Sequence, residues 1–456
     1  MHLSGKVNPL LFSLSLIFVA IIWGGIVFGR FQFDDYPNIL NDPATAMGPL
    51  LWERLVHGIR PLTRLSYAID FALWGESASG WFATSLLIHL ITTLGVWRLA
   101  RYVVTNEMGA VLAALLFALQ PAHGAAIAYV SGRSSALMTL FLVWAFVFHE
   151  RSTRYPEYRK SMIAIAFVLF FAACGAKEVA LVFPLLLLLW EWFKPNSTYG
   201  LRPGLRSVAP YFAASLLLAG YLLTITRYRE LLAYSTELRG PIDSLLQNLT
   251  ALPLTASLLL RPWALAVEHA PPLVNSVTTV LGAATILAWA AIAIIKVGAR
   301  RMLAIGLLWP LIALLPTHSL IAKIDPISES PLYLAWVGPA IAFGAAAGRW
   351  LSTFHGSLMR YYCVLCSVAV VSVFCAWRVA VWSNPIRLWQ EAVRNVPESN
   401  RAWNNLGMAH LTQGNIALAR ASFREAMHLA PANSRSQFNL ELTELFDPAN
   451  NLKDEK

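Results

Sequence analysis

Charge is what this sequence has least of. Only 13% of its 456 residues are Asp, Glu, Lys or Arg, against about 25% in soluble domains, and 57% are hydrophobic. That scarcity excludes an ordinary soluble domain and implies a polytopic membrane protein. Cysteine is scarce too, at four residues. Cys363 and Cys366 form a CxxC inside an apolar run with no second pair and no nearby His. A zinc site would need more ligands, so the cysteines read as small apolar residues. No small-residue cleavage site follows the first apolar run, which therefore reads as an uncleaved anchor. Half-to-half similarity, common in secondary transporters, is absent as well.

What is present is a series of apolar segments. Crossing a bilayer takes about 20 such residues. Candidate spans lie near 10–28, 81–100, 107–120, 126–149, 161–174, 178–193, 208–226, 276–296, 302–316, 332–350 and 361–382. The net charge of +10 does not indicate nucleic acid, because Lys and Arg collect at span ends, where they mark the cytoplasmic side. Lys6, Arg98, Arg101, the stretch 151–160, Lys194, Arg202, Arg206, Lys296, Arg300, Arg301, Arg349 and Arg360 fall inside if there are eleven crossings. The apolar segment 244–260 must then be re-entrant or lie on the surface. This topology gathers Asp34, Asp35, Arg60, His123, Lys177, Glu178, His269, Asp325 and Glu329 on the outer side, where a plain bundle has no need of them. Chemistry on that face would need them.

After Trp382 the composition changes. The stretch "NRAWNNLGMAHLTQGNIALARASFREAMHLAPAN" fills residues 400–433, the length of one tetratricopeptide repeat. Trp403, Leu406, Gly407, Ala419, Phe423, Ala426 and Pro431 stand in that repeat's register, with Gly407 and Ala419 letting two antiparallel helices approach and Trp403 and Phe423 filling the groove. The segments "PIRLWQEAVRNVPES" and "SRSQFNLELTELF" read as flanking half-repeats that cap it, since one unit cannot bury its own face. The tail 383–456 is either a docking surface for a partner or a cap on the membrane domain.

Five stretches carry unusual polar residues: "FDDYPNI" (33–39), "IRPLTRLSYAID" (59–70), "FALQPAHGAAIAYVSGRSSAL" (117–137), "AKEVALVFPLLLLLWEW" (176–192) and "IDPISESPLYLAWVG" (324–338). Each has a plain reading. Asp, Pro and Asn form turns, basic residues answer lipid headgroups, and a lone His such as His123 makes local hydrogen bonds. In this order, with the tail attached, the stretches resemble the membrane protein O-mannosyltransferases that carry tetratricopeptide repeats, a family of the GT-C class of polytopic glycosyltransferases. The chain is similar to the shorter bacterial members.

The resemblance implies an all-α GT-C-like bundle in residues 1–382, with a first outer loop at 29–80 bearing surface helices, a late outer loop at 227–275, and an extracytoplasmic repeat tail at 383–456. It implies a bacterial inner membrane location, a cytoplasmic N-terminus and an active site in the periplasm. It also implies an inverting transfer from a polyprenyl-phosphate-linked sugar to a protein hydroxyl. Such a reaction needs a carboxylate base for the acceptor and cations for the departing phosphate. Asp34, the first acid after span one, takes the role of base. If the segment is extended, Asp35 points the other way and is left to hold backbone amides or a divalent metal, and no other cofactor is assigned. Lys177, Arg60, Arg64 and Arg133 are the candidates for donor phosphate and lipid, Arg60 and Arg64 sharing one helix face by their spacing of four; Arg133 is equally a structural arginine. Glu178, Glu329, His123 and His269 are candidates for positioning donor or acceptor, with Glu268 beside them.

Three positions depart from the family pattern. Gln120 stands where relatives have His, Ala125 where they have Glu, and Ser330 where they have Arg, so mannose is not assigned. Two other classes fit the composition. One is a transporter or flippase of polyprenyl-linked sugar that uses Lys177, Glu178 and Arg133 as pathway residues. The other is a non-catalytic scaffold whose tail recruits a partner.

Overall fold

The computed structural model describes residues 9–104, 106–194, 201–295, 301–353 and 358–445. Lys6, Lys296 and Arg300, on which part of the charge-based topology rests, lie outside them, as do the last residues of the tail. Among the described residues the chain is helical throughout, with no strand. A backbone in lipid must satisfy its own hydrogen bonds, and helices do so within one segment.

Among the described residues six helices are long and apolar enough to cross a membrane: Leu10–Phe28, Ala78–Ala100, Pro156–Ala176, Leu205–Leu222, Ser276–Ala293 and Tyr362–Trp382. A bent pair, Glu107–Ala118 and Pro121–Ile127, makes a seventh if counted as one span. The four remaining expected segments, 126–149, 178–193, 302–316 and 332–350, form helices too, but short or polar ones. Phe183–Phe193 has 11 residues and Val337–Thr353 has 17. At 1.5 Å per residue neither reaches the roughly 30 Å of a hydrocarbon core alone. Helix Pro241–Ser257, which covers most of 244–260, has 17 residues and an internal Pro253.

The six long helices expose apolar side chains, among them Leu14 and Ile21, Leu216 and Leu217, and Val280 and Leu287. The centre is filled by Trp23, Trp81, Trp190 and Trp309, all fully buried. Small residues let the inner helices touch. A Cβ on Gly344 would stand 2.5 Å from the carbonyl oxygen of Gly109, so helices Glu107–Ala118 and Val337–Thr353 meet backbone to backbone. The bend of 49° in the seventh element has a local cause. Pro121 brings no N–H to the turn. The Ala122 N–H that would reach the carbonyl of Ala118 donates to Gln120 Oε1 at 3.4 Å instead, so that carbonyl accepts from Trp23 Nε1 at 2.8 Å and faces His89 Nε2 at 3.0 Å.

Among the described residues four short helices follow the last long one: Pro385–Asn395, Asn400–Leu411, Ile416–Leu429 and Ser434–Leu445. Asn384 and Ser399 cap the first two through the amides of Arg387 and Ala402. A Cβ on Gly407 would lie 2.5 Å from the Phe423 ring, so the second and third helices close on that glycine. Phe423 is fully buried, whereas Trp403 is only half-buried and donates to Pro397 O at 2.8 Å. The core around Trp389, Ala402 and Leu406 is completed by Phe33 and Val267 from the membrane part.

Candidate functional site

The segment after the first long helix is not extended. Phe33 takes φ 40°, Asp35 N–H donates to Gln32 O at 2.8 Å, and Asn38 N–H donates to Asp34 O at 3.0 Å. A short helical turn, Tyr36–Leu40, follows with Pro37 in its first turn, where a missing N–H costs nothing. The tight turn still sends the two acids apart. Asp35 is fully buried and accepts from Ser131 N at 2.8 Å, Ser131 Oγ at 2.7 Å and Gln32 N at 3.0 Å. Burial pushes its carboxyl up to about 6 against those hydrogen bonds. Asp35 ties two loops together. Among the described residues no three His, Cys, Asp or Glu side chains gather as metal ligands.

Asp34 is half-buried and faces a cavity of ≈ 160 Å³. Its N–H donates to Tyr129 Oη at 3.2 Å. Burial raises its carboxyl above the ordinary range, opposed by a hydrogen bond to Tyr129 and by the charge of Arg401. His269 and Glu329 share this cavity. Glu329 is buried, accepts from Ala266 N at 2.6 Å, and meets His269 Nε2 at 3.3 Å and Arg378 at 3.2 Å. Those neighbours hold its carboxyl low despite burial. Ser330 is no arginine, yet Glu329 is paired with one, Arg378, which also binds Glu391. Ala125 lines the cavity as a small side chain, while Gln120 turns away and donates to Leu259 O at 3.1 Å.

A second cluster is cationic. Arg60 grips Glu178 with two hydrogen bonds, Nε to Oε2 at 2.9 Å and an Nη to Oε1 at 2.6 Å. Lys177 Nζ donates to Ser135 Oγ at 2.7 Å. Lys323 lies close enough to feel Arg60 and Glu178. Burial and the neighbouring guanidinium bring Lys177 down to about 7, and burial brings Lys323 down to about 8. Three basic groups thus gather around Glu178, and the Asp325 carboxylate acts on Lys323 as well. Asp325, two residues after Lys323, lines the Asp34 cavity, so one loop joins the two sites.

Other sequence candidates are placed elsewhere. Arg60 and Arg64 do not share a helix face, because Arg60 has φ 55° before Pro61 and caps the helix rather than lying in it. Arg64 instead holds the segment after the first long helix through Asn38 O at 2.6 Å and Asp42 at 3.3 Å. Arg133 opens its helix and is fully buried against Asp70 at 2.6 Å, with Trp81 O at 2.7 Å and Ser85 Oγ at 3.2 Å. It belongs to the packing and is closed to a phosphate. His123 is fully buried among Tyr333 and Phe117, with ring centroids at 4.4 and 4.9 Å, and does not line the cavity.

Sequence reasoning passed over three residues here: Arg378, Lys323 and Arg401. Arg378 carried a readable signal, an ionisable group within the last apolar run.

No family model matches the chain. Among curated proteins it is similar to Protein O-mannosyl-transferase TMTC3 of Homo sapiens, 23% identical over 482 residues that cover 93% of this chain and 52% of that protein. Its similarity to the Mus musculus TMTC3 is the same 23% over 498 residues, covering 96% and 53%. Protein O-mannosyl-transferase F38B6.6 of Caenorhabditis elegans is 29% identical over 160 residues, 31% of this chain and 23% of that protein. The chain spans about half the length of the TMTC3 relatives. Its homologues are TMTC-type protein O-mannosyl-transferases, matched at low identity but over nearly its whole length, in agreement with the resemblance carried by its motifs.

Proposed function

We propose that this chain is a membrane glycosyltransferase that moves a sugar from a polyprenyl-phosphate donor to a protein hydroxyl, with Asp34 as general base. The observation that carries the reading is Asp34 itself: a half-buried carboxylate, raised in pKa, facing a cavity whose Asp325 loop also carries Lys323 of the basic cluster. In the proposed step the acceptor oxygen attacks the anomeric carbon as its proton passes to the Asp34 carboxylate. The new C–O bond forms while the bond from that carbon to the phosphate oxygen breaks, inverting the centre, and polyprenyl phosphate departs. Lys177, Arg60 and Lys323 meet the growing phosphate charge, Lys177 and Lys323 as point charges and Arg60 within its Glu178 pair. His269 and Glu329 form the opposite wall and orient the sugar or acceptor. Asp35 fixes the turn that presents Asp34.

The same reading divides the chain into a membrane domain at 1–382 and a repeat domain at 383–456, with a tetratricopeptide unit at 400–433. It takes the shorter helices as further crossings, eleven in all, with the N-terminus cytoplasmic and the cavity periplasmic in a bacterial inner membrane. The test uses purified protein, polyprenyl-phosphate sugars and periplasmic acceptor proteins. Asp34→Asn should lower transfer by about 10²–10⁴-fold, the usual worth of a general base. Transfer at the wild-type rate would remove Asp34 from the role.

A further inference from the structure

We infer that Arg401 and Trp389, on the helices after the last long apolar one, are positioning residues for Asp34, acting through Phe33; the inference rests on Asp34 being the base. Phe33 is one of two described non-glycine residues with positive φ. An L-side chain stays in that region only where its surroundings hold it there. The surroundings come from the tail. The Trp389 ring meets Phe33 edge-on with centroids 5.9 Å apart, and the Arg401 guanidinium stands over the Phe33 ring at 5.8 Å.

Arg401 is itself fixed from two sides. It binds Asp325 through both terminal nitrogens, at 2.8 and 3.1 Å, and Glu268 through Nε at 3.3 Å. Ser399 Oγ donates to Glu268 as well. One planar guanidinium therefore joins three separate segments, each of which lines the Asp34 cavity. Such a fork suits arginine and no other side chain. Without it, Phe33 loses the ring-face contact that keeps its backbone in the left-handed region, and the next residue, Asp34, loses its aim. A misplacement of about 1 Å at a reacting group is enough to cost about 100-fold in rate.

The test measures kcat, KM and the pH profile of the purified full chain with a polyprenyl-phosphate sugar. The charged and titratable groups around Asp34 are Tyr129, Glu268, His269, Asp325, Glu329, Arg401 and Arg435. Arg401→Gln should lower kcat about 100-fold with the donor KM unchanged, and should move the acid limb to higher pH, because a cation near the base is gone. Arg401→Lys keeps the charge but not the fork, so its acid limb stays while kcat still falls. Trp389→Ala should lower kcat with no shift of the limb, and Trp389→Phe should restore most of it. Folding is checked by thermal melting, and if Arg401→Gln does not fold, the two Trp389 variants decide.

Wild-type kcat in a folded Arg401→Gln, or in Trp389→Ala when Arg401→Gln does not fold, overturns the inference. So does a change confined to the acceptor KM, which would make these residues an acceptor subsite. Full activity in Asp34→Asn defeats the underlying reading instead, whatever the tail variants do.

Discussion

The buried pair of Arg133 and Asp70 allows a sharp test of what Arg133 is for. The two side chains are 0% and 1% exposed and lie 2.6 Å apart. Breaking such a pair by removing one partner costs about 3–5 kcal/mol, because the other charge stays buried and uncompensated. In Asp70→Ala the stranded guanidinium keeps its bonds to Trp81 O and Ser85 Oγ and its places over the Tyr67 and Trp81 rings, each at 5.7 Å. Those contacts put the loss near the lower end, about 3 kcal/mol, or roughly a hundredfold in the folding equilibrium. The assay is detergent-solubilised melting followed by tryptophan fluorescence and size exclusion. The paired change Asp70→Leu with Arg133→Met replaces both charges with apolar volume and should be close to neutral in stability. It should also transfer sugar, since no charge needed by the substrate has been lost. A melt for Asp70→Ala equal to wild type would refute the energetic reasoning. A paired variant that is folded but no longer binds donor would refute the structural assignment and make Arg133 a phosphate ligand.

Two further outcomes follow from the same geometry. Asp34 must be ionised to act as a base and its pKa is raised, so activity should climb as pH rises through a value above the ordinary carboxylate range; Lys177 must be charged to meet phosphate and titrates at about 7, so activity should fall above that. The profile is a bell on the acid side of neutrality, read from initial rates against pH, and Lys177→Arg should move its alkaline limb from about 7 toward about 8, where Lys323 loses its charge. Gly407→Ala places a Cβ 2.5 Å from the buried Phe423 ring, so overpacking of about 1–3 kcal/mol should outweigh the roughly 1 kcal/mol that alanine gains in helix propensity. Proteolysis of the tail should accelerate, and a slower digest would show that the two helices have room to spare.

Composition alone was enough for the class, because a chain with so few charges has no other way to bury its apolar surface. Asp34, Lys177 and Glu178 were legible for a related reason: an ion beside an apolar run stands out against it. The count of spans was less legible. Apolar runs of 11–17 residues look like crossings in a sequence, but rise per residue limits what each covers alone. The local shape at Asp34 was open in the sequence, which allowed an extended segment or a turn of Asp, Pro and Asn; the chain takes the turn, with Pro37 in the first turn of a short helix. Lys323 and Arg401 became visible only through partners far away in the chain; the place of Arg378 within an apolar run marked that residue, but not its partners. Arg378 reaches Glu329 across two helices, and Arg401 finds Glu268 and Asp325 on separate loops. No local pattern records such a meeting. The lost arginine at position 330 illustrates the point, since the ion pair on Glu329 is supplied from another helix.

The contact between Phe33 and Arg401 also bears on how the molecule comes into being. Phe33 meets a residue made several hundred positions later. While the ribosome is still threading the chain into the bilayer, Asp34 can already be present at the surface, but the cavity in front of it has one wall missing. That wall arrives only when the helices after Trp382 have emerged and folded back. A half-made chain therefore holds every early motif and still has no finished chamber. Exchanging those last helices for a foreign helical segment would have the same result unless the replacement brought Trp389, Ser399 and Arg401 with it.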